Sequence, residues 1–227
     1  MIFYAGDIHG RVDHVVDIDR EAAEAGATHV VQVGDFGARW GGGHCPIHRY
    51  FTKRARAGRQ GPIWITCGGN HENWDKWNAL ANEQGHPDLV QLAPDCFFAQ
   101  RGSVHVINDI KHLFLGGAES TDKHMRSPGV DWWAGETPTY SDFSLFAARL
   151  EDEMPDVVVT HDAPLRVEIV RTQRDRAPTP TNLENVIRLS NFKPKMWYFG
   201  HHHRMNEWEI DGTTYSCCGL HGQYKVG

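Results

Sequence analysis

The sequence predicts an α/β fold in which strands and helices alternate. Two observations carry this reading. Short apolar runs recur between segments whose apolar residues have helical spacing. The first three of these runs each lead into a glycine-bearing loop with Asp, His or Asn in it, namely GDIHG at 6–10, GDFG at 34–37 and GGNHE at 68–72. In open α/β sheets ligands sit beyond the carboxyl ends of strands, so the polar residues stand where such a fold places its site.

The elements follow in order. MIFYA opens the chain as a strand, and Val12, Val15, Val16, Ile18 and Ala22 predict a helix over 10–25, with Gly26 as its stop. THVVQV is a second strand. Pro46 suits the first turn of a helix that closes at Gly58. PIWIT is a third strand, and ENWDKWNALANEQG is a helix closed by Gly85. Strands are predicted at 96–99, 103–107 and 112–115. A long irregular stretch and a helix over 142–150 come next, then the buried strand DVVVT, which ends at His161-Asp162. An Arg- and Pro-rich loop spans 165–180. Thr181 and Glu184 have capping-box spacing, which predicts a helix over 182–191. KMWYF is a strand running into GHHHR, and EWEIDGTTYSCC reads as two strands around the Asp211-Gly212 turn. No repeat or linker forces a boundary, so residues 1–227 are expected to form one domain.

Composition narrows the function. A net charge of −6 gives no general pull toward nucleic acid or acidic membranes. No apolar run approaches the roughly 20 residues of a membrane span, and no basic-then-apolar leader precedes the first strand. Five scattered cysteines without a C-x-x-C pair argue against a disulfide framework or a thiolate zinc site, and for a reducing, cytoplasmic setting. Fifteen histidines are the unusual feature and suggest imidazole ligands.

GHHHR lies inside the chain, which excludes a terminal tag. In extended chain, residues i and i+2 share a side, so His201 and His203 would aim at one place and His202 elsewhere. Asp7 and His9 repeat that spacing. Singly, each polar residue has a bland reading: Asp7 as a helix cap, Asp35 as a turn residue, Asn70 as a left-handed turn residue, His71 as a cap, His161 as a core histidine. Together, at five strand ends in this order, they form a constellation.

GDIHG, GDFGAR, GNHE, THD and GHHH resemble the D-x-H, G-D-x-x-D-R, G-N-H-E, H and G-H-x-H blocks of the calcineurin-like metallophosphoesterases, across residues 6–203. GGAES, DKHMR and the Trp132-Trp133 pair resemble small phage and bacterial members. The resemblance implies a four-layer α/β/β/α sandwich with mixed central sheets. It also implies hydrolysis of a phosphomonoester or small phosphodiester by a metal-bridging hydroxide. On that footing Asp7, His9 and His203 hold one metal, Asn70, His161 and His201 hold the other, and Asp35 bridges the two. His71 protonates the leaving oxygen, and Arg39 grips the phosphate. Imidazoles, an amide oxygen and two carboxylates suit two divalent ions, with Mn expected first and Fe, Zn, Co or Ni as alternatives. Two dications against two carboxylates leave the site net positive, which draws a phosphate-ester substrate, either a small molecule or a phosphoprotein. In the phosphoprotein-phosphatase branch, an Asp before the arginine braces the histidine. Here that residue is Ala38, and Trp40 replaces the following Gly, which weighs against a Ser/Thr-type protein phosphatase. A nuclease is a further alternative, although the single domain expected over 1–227 offers no second one to build a nucleic-acid channel. A non-catalytic metal- and nucleotide-binding module is the alternative from another class, and His71 argues against it because binding alone needs no general acid.

Other features read as structure first. Arg49, Lys53 and Arg56 form a solvated helix face, with Tyr50, Phe51 and Arg54 aimed otherwise. Trp74, Trp77 and the 132–133 pair pack under a loop. Arg126 and the arginines at 171, 174 and 176 are surface residues, with a grip on a second substrate phosphate as the sharper alternative. Cys217-Cys218 is a buried strand pair.

Overall fold

Two six-stranded mixed sheets pack face to face in the computed structural model, which describes residues 1–38, 45–169 and 177–227. The first sheet contains β1 (Ile2–Ala5), β2 (His29–Gln32), β3 (Ile63–Thr66), β4 (Leu89–Ala93), β5 (Cys96–Ala99) and the C-terminal β12 (Tyr224–Val226). The second contains β6 (Val104–Ile107), β7 (Ile110–Leu115), β8 (Val157–Thr160), β9 (Met196–Phe199), β10 (Met205–Ile210) and β11 (Thr213–Cys218). Their orders are β12-β1-β2-β3-β5-β4 and β10-β11-β9-β8-β7-β6. The inner strands of each sheet run parallel, and the edge strands β4, β12, β6 and β10 run antiparallel to their neighbours.

Strand alternation sorts the side chains into layers. On β1, Ile2 and Tyr4 face the second sheet, while Phe3 and Ala5 face α1 (Val12–Glu24), α2 (Pro46–Arg56) and α3 (Trp74–Glu83). On β8, Val157 and Val159 face inward, and Val158 packs under α4 (Tyr140–Glu153) and α5 (Pro178–Leu189). Both faces of each sheet are therefore buried, which is why these strands read as unbroken apolar runs. Tyr4 and Tyr198 stack across the seam with ring centroids 3.6 Å apart. The architecture is the four-layer α/β/β/α sandwich that the motif resemblance implies.

Several elements differ from expectation. The predicted helix at 182–191 starts earlier, at Pro178. Ala177 is its N-cap with no side-chain cap bond, and the fixed φ of Pro178 sets the first turn. Thr181 sits inside the helix and donates to the Ala177 carbonyl, while Glu184 accepts from Arg166. A capping box does occur at α4, between Thr139 and Asp142, so that helix begins at Tyr140 rather than 142 and runs on to Glu153. β4 and β12 are additions that sequence patterning does not mark. The segment between β7 and α4 holds two short 3-10 turns, Lys123–Met125 and Ala134–Glu136. Arg49, Lys53 and Arg56 are not buried while Phe51 and Arg54 are, as a solvated helix face requires. All five cysteines are buried, and none is joined in a disulfide. Arg171, Arg174 and Arg176 lie outside the described residues. Among those described, no helix is long and apolar enough to cross a membrane.

Candidate metal centre

Five loops converge where the carboxyl ends of the two sheets meet. Those after β1, β2 and β3 bring Asp7 and His9, Asp35, and Asn70 and His71; those after β8 and β9 bring His161, and His201 and His203. The donor atoms of Asp7, His9 and His203 lie within 4.8 Å of one another, and so do those of Asp35, His161 and His201. His9 Nε2 is 3.1 Å from His203 Nε2, and His203 Nε2 is 3.2 Å from Asp7 Oδ2. On the other side His161 Nε2 is 3.0 Å from Asn70 Oδ1 and 3.4 Å from Asp35 Oδ1. Asp35 reaches toward both groups, since its Oδ2 is 3.7 Å from His9 Nε2. Ligands about 2.1 Å from a common ion stand about 3.0–3.4 Å from each other. The closest donor pairs fit that spacing, and a borderline divalent cation suits the donor set.

The convergence comes from left-handed backbone and not from extended-strand alternation. His9, Asp35, His201 and His203 have φ of 49°, 55°, 63° and 54°. Left-handed backbone at non-glycine residues is costly and tends to collect at functional sites. His201 and His203 do reach one cavity, as expected, but from left-handed backbone and not from one side of an extended segment, and each joins a different donor group. His202 points away, with Nε2 3.2 Å from Asp162 Oδ1. Two glycines allow close approach, because a Cβ at Gly200 would collide with the Asp7 carboxylate and one at Gly69 with that of Asp35. Backbone N–H groups orient both acids: His201 N donates to Asp7 Oδ2 at 3.1 Å, and His71 N to Asp35 Oδ1 at 2.8 Å.

The electrostatics follow from burial. Asp7 is fully buried, which raises its carboxyl pKa against the lowering effect of His203. Burial also disfavours charge on Asp35, but His161, His71 and His9 outweigh it and hold that carboxyl low. Burial lowers His9 to about 4. His161 is raised to about 9: burial opposes its charge, and the carboxylates of Asp35 and Asp7 favour it more. Its Nδ1 meets the Val33 carbonyl at 2.8 Å, so Nδ1 carries a proton and Nε2 is the nitrogen that faces the site. A proton and a metal compete for that Nε2.

His71 lies beside this cradle, its Nε2 4.0 Å from Asp35 Oδ2. It shares a cavity of about 170 Å³ with Asp35, Asn70, Thr121, Asp122, Arg126, His201 and His203. Burial lowers its pKa and Asp35 opposes that. Arg39 and Trp40 fall outside the described residues; Ala38 is buried.

Three residues near the site carry no role in the sequence reading, and a fourth, Arg126, is read there as a surface residue with a phosphate grip as the alternative. Glu72 accepts from Phe36 N at 2.6 Å and Gly37 N at 3.1 Å, tying the β2 and β3 loops together, and burial raises it to about 8. Its place in GNHE is the available signal. Asn70 Nδ2 donates to Ser120 Oγ at 3.0 Å, Ser120 Oγ to Glu136 Oε2 at 2.6 Å, and Ser120 N to Glu136 Oε1 at 2.8 Å. This chain fixes the Asn70 amide with its oxygen toward the site. Arg126 reaches His71 from the same irregular segment. No periodicity marks Ser120, Arg126 or Glu136.

The sequence model of one family, described as calcineurin-like phosphoesterase, matches residues 2–205. No curated protein matches. Among solved structures, TT1561 of Thermus thermophilus is similar at 13% identity and TM-score 0.60, over 97% of this chain and 89% of that one. A phosphopantetheinyl hydrolase from Mycobacterium tuberculosis is similar at 15% identity and TM-score 0.51, over 96% and 89%. GAP50 of Plasmodium, an anchor in the inner membrane complex, is similar at 13% identity and TM-score 0.53, over 96% and 70%. These likenesses are of fold.

Proposed function

Since this chain belongs to the calcineurin-like phosphoesterase family and is a metal-dependent phosphoester hydrolase, we propose that it works at a dinuclear centre on a small phosphate-ester substrate. The whole chain, 1–227, is read as one domain of that family. Asp7, His9 and His203 hold one ion, Asn70, His161 and His201 the other, and Asp35 lies between them. The observation that carries this is the convergence of two donor groups on Asp35, each drawing side chains from both sheets. Manganese is the ion we expect, and five buried cysteines without a disulfide support a reducing, cytoplasmic setting.

Two divalent ions, when bound, supply Lewis acidity toward phosphoryl oxygens and a nucleophile from water at neutral pH. The protein's own part is positioning and proton transfer. Asp7 and Asp35 are fixed by backbone N–H groups, and the Asn70 amide is fixed through Ser120. His71 is the proton donor to the leaving oxygen, because its ring nitrogen stands at the edge of the cradle inside the shared cavity. Arg39 is assigned a phosphate contact from the motif alone.

Metal analysis followed by a substrate panel tests the proposal. p-Nitrophenyl phosphate, bis-p-nitrophenyl phosphate and cyclic nucleotides are to be assayed with Mn, Ni, Zn and Mg. Turnover should vanish on chelation and return with Mn. Activity insensitive to chelation refutes the mechanism, and metal binding without turnover on any ester favours the non-catalytic module.

A further inference from the structure

We infer that Arg126 is a substrate-binding residue that grips the phosphoryl group and tunes the site toward phosphomonoesters. This rests on the hydrolase reading above and names the substrate class of the same site.

A guanidinium carries five N–H groups and no acceptor. Arg126 Nε and Nη2 donate to Asp122 Oδ1 and Oδ2, both at 2.8 Å, and Nη1 donates to the Asp131 carbonyl at 3.1 Å. One N–H on Nη1 and one on Nη2 remain. Those two nitrogens meet His71, Nη1 at 2.8 Å from Nδ1 and Nη2 at 3.1 Å from Nε2. A neutral imidazole has one acceptor nitrogen, so the ring can use only one of the two. A cation with an unspent donor therefore stands on the wall of the reaction cavity. It is held in place by Asp122, and its side chain is only 15% exposed.

That unspent N–H matches a phosphate oxygen, which accepts a charge-assisted bond from arginine. Among the described residues lining the cavity, Arg126 is the one permanently cationic side chain. Substrate form follows from counting oxygens. A phosphomonoester has three non-bridging oxygens, enough for a pair of cations and for the arginine edge. A diester has two, and its second ester group must also fit the cavity that Arg126 and Asp122 wall.

The test compares wild type, Arg126→Ala and Arg126→Lys, all loaded with Mn. Readouts are the inhibition constant of inorganic phosphate, kcat and KM on p-nitrophenyl and bis-p-nitrophenyl phosphate, Mn content and melting temperature. Arg126→Ala should weaken phosphate inhibition and raise the monoester KM about 10–100-fold, with Mn content retained. The diester should lose less, so the monoester/diester ratio falls. Lysine keeps the charge and bulk without the fork, and should recover part of the loss. Phosphate inhibition unchanged in metal-replete Arg126→Ala, or equal losses on both esters, overturns the inference alone. A wild-type protein that hydrolyses neither ester overturns the hydrolase reading and this inference with it. If Arg126→Ala does not fold, Arg126→Lys decides: phosphate inhibition and an ester ratio equal to wild type refute the grip, and partial loss of both supports it.

Discussion

Replacing Ser120 with Ala isolates the polar chain behind one proposed ligand. Asn70, Ser120 and Glu136 are 4%, 3% and 1% exposed, so water does not readily replace what is lost. The change deletes the bond from Asn70 Nδ2 and the bond to Glu136 Oε2. Without the first, the Asn70 amide is free to turn its NH₂ toward the cradle. A net bond of about 0.5–1.5 kcal/mol sets the lower bound on that loss, and changes of this kind behind a metal ligand typically cost about 10–100-fold in affinity. Calorimetric titration with Mn should show two classes of site, with the one built on Asn70, His161 and His201 weakened about tenfold or more. The site built on Asp7, His9 and His203 should change far less. Stability should fall by about 1–3 kcal/mol, because a buried carboxylate oxygen loses its partner. A folded Ser120→Ala protein whose two affinities match wild type, or drop by the same factor, refutes the orienting role.

The other expectations concern protons. His71→Asn should lower kcat about 10²–10⁴-fold with Mn content unchanged, and the loss should be larger on alkyl than on p-nitrophenyl phosphates, whose leaving group needs no proton. The His71 ring is held below the ordinary histidine range by burial, so wild-type turnover of alkyl phosphates should decline as pH rises through that lowered value. An identical pH profile for both leaving groups contradicts this. His161 is raised to about 9 by its carboxylate neighbours despite burial, so at pH 7 a metal ion that took this nitrogen as a ligand would displace a proton from it. Affinity should rise with pH up to about 9, and titrations in buffers of different ionisation enthalpy should register that release.

Much of the candidate centre is readable because its proposed ligands follow buried strands. Each apolar run ends in a loop, and a run buried on both faces is hard to mistake for solvent-exposed chain. The division into two sheets is not readable this way, since Val30, facing a helix, and Val31, facing the other sheet, are the same residue type. That division comes from the motif blocks. β12 pairs with β1 through only Tyr224, Lys225 and Val226, too few residues to show a period. β4 turns into β5 through Asp95 at φ 55°, with no glycine to mark the bend. Thr181 and Glu184 mislead because their spacing signals a helix start only when nothing earlier sets one, and Pro178 does. Ser120, Arg126 and Glu136 come from a segment with little regular structure, where only coordinates reveal proximity.

Each proposed ion takes ligands from both sheets: Asp7 and His9 with His203, and Asn70 with His161 and His201. Metal would therefore act as a rivet across the seam lined by Tyr4 and Tyr198. Separating the halves would require releasing the cations, so resistance to denaturant should climb with free Mn by about 2.7 kcal/mol per site at a hundredfold excess over Kd. An enzyme so fastened uses one set of contacts both to cut its substrate and to keep its own halves together, and metal starvation would loosen both at once.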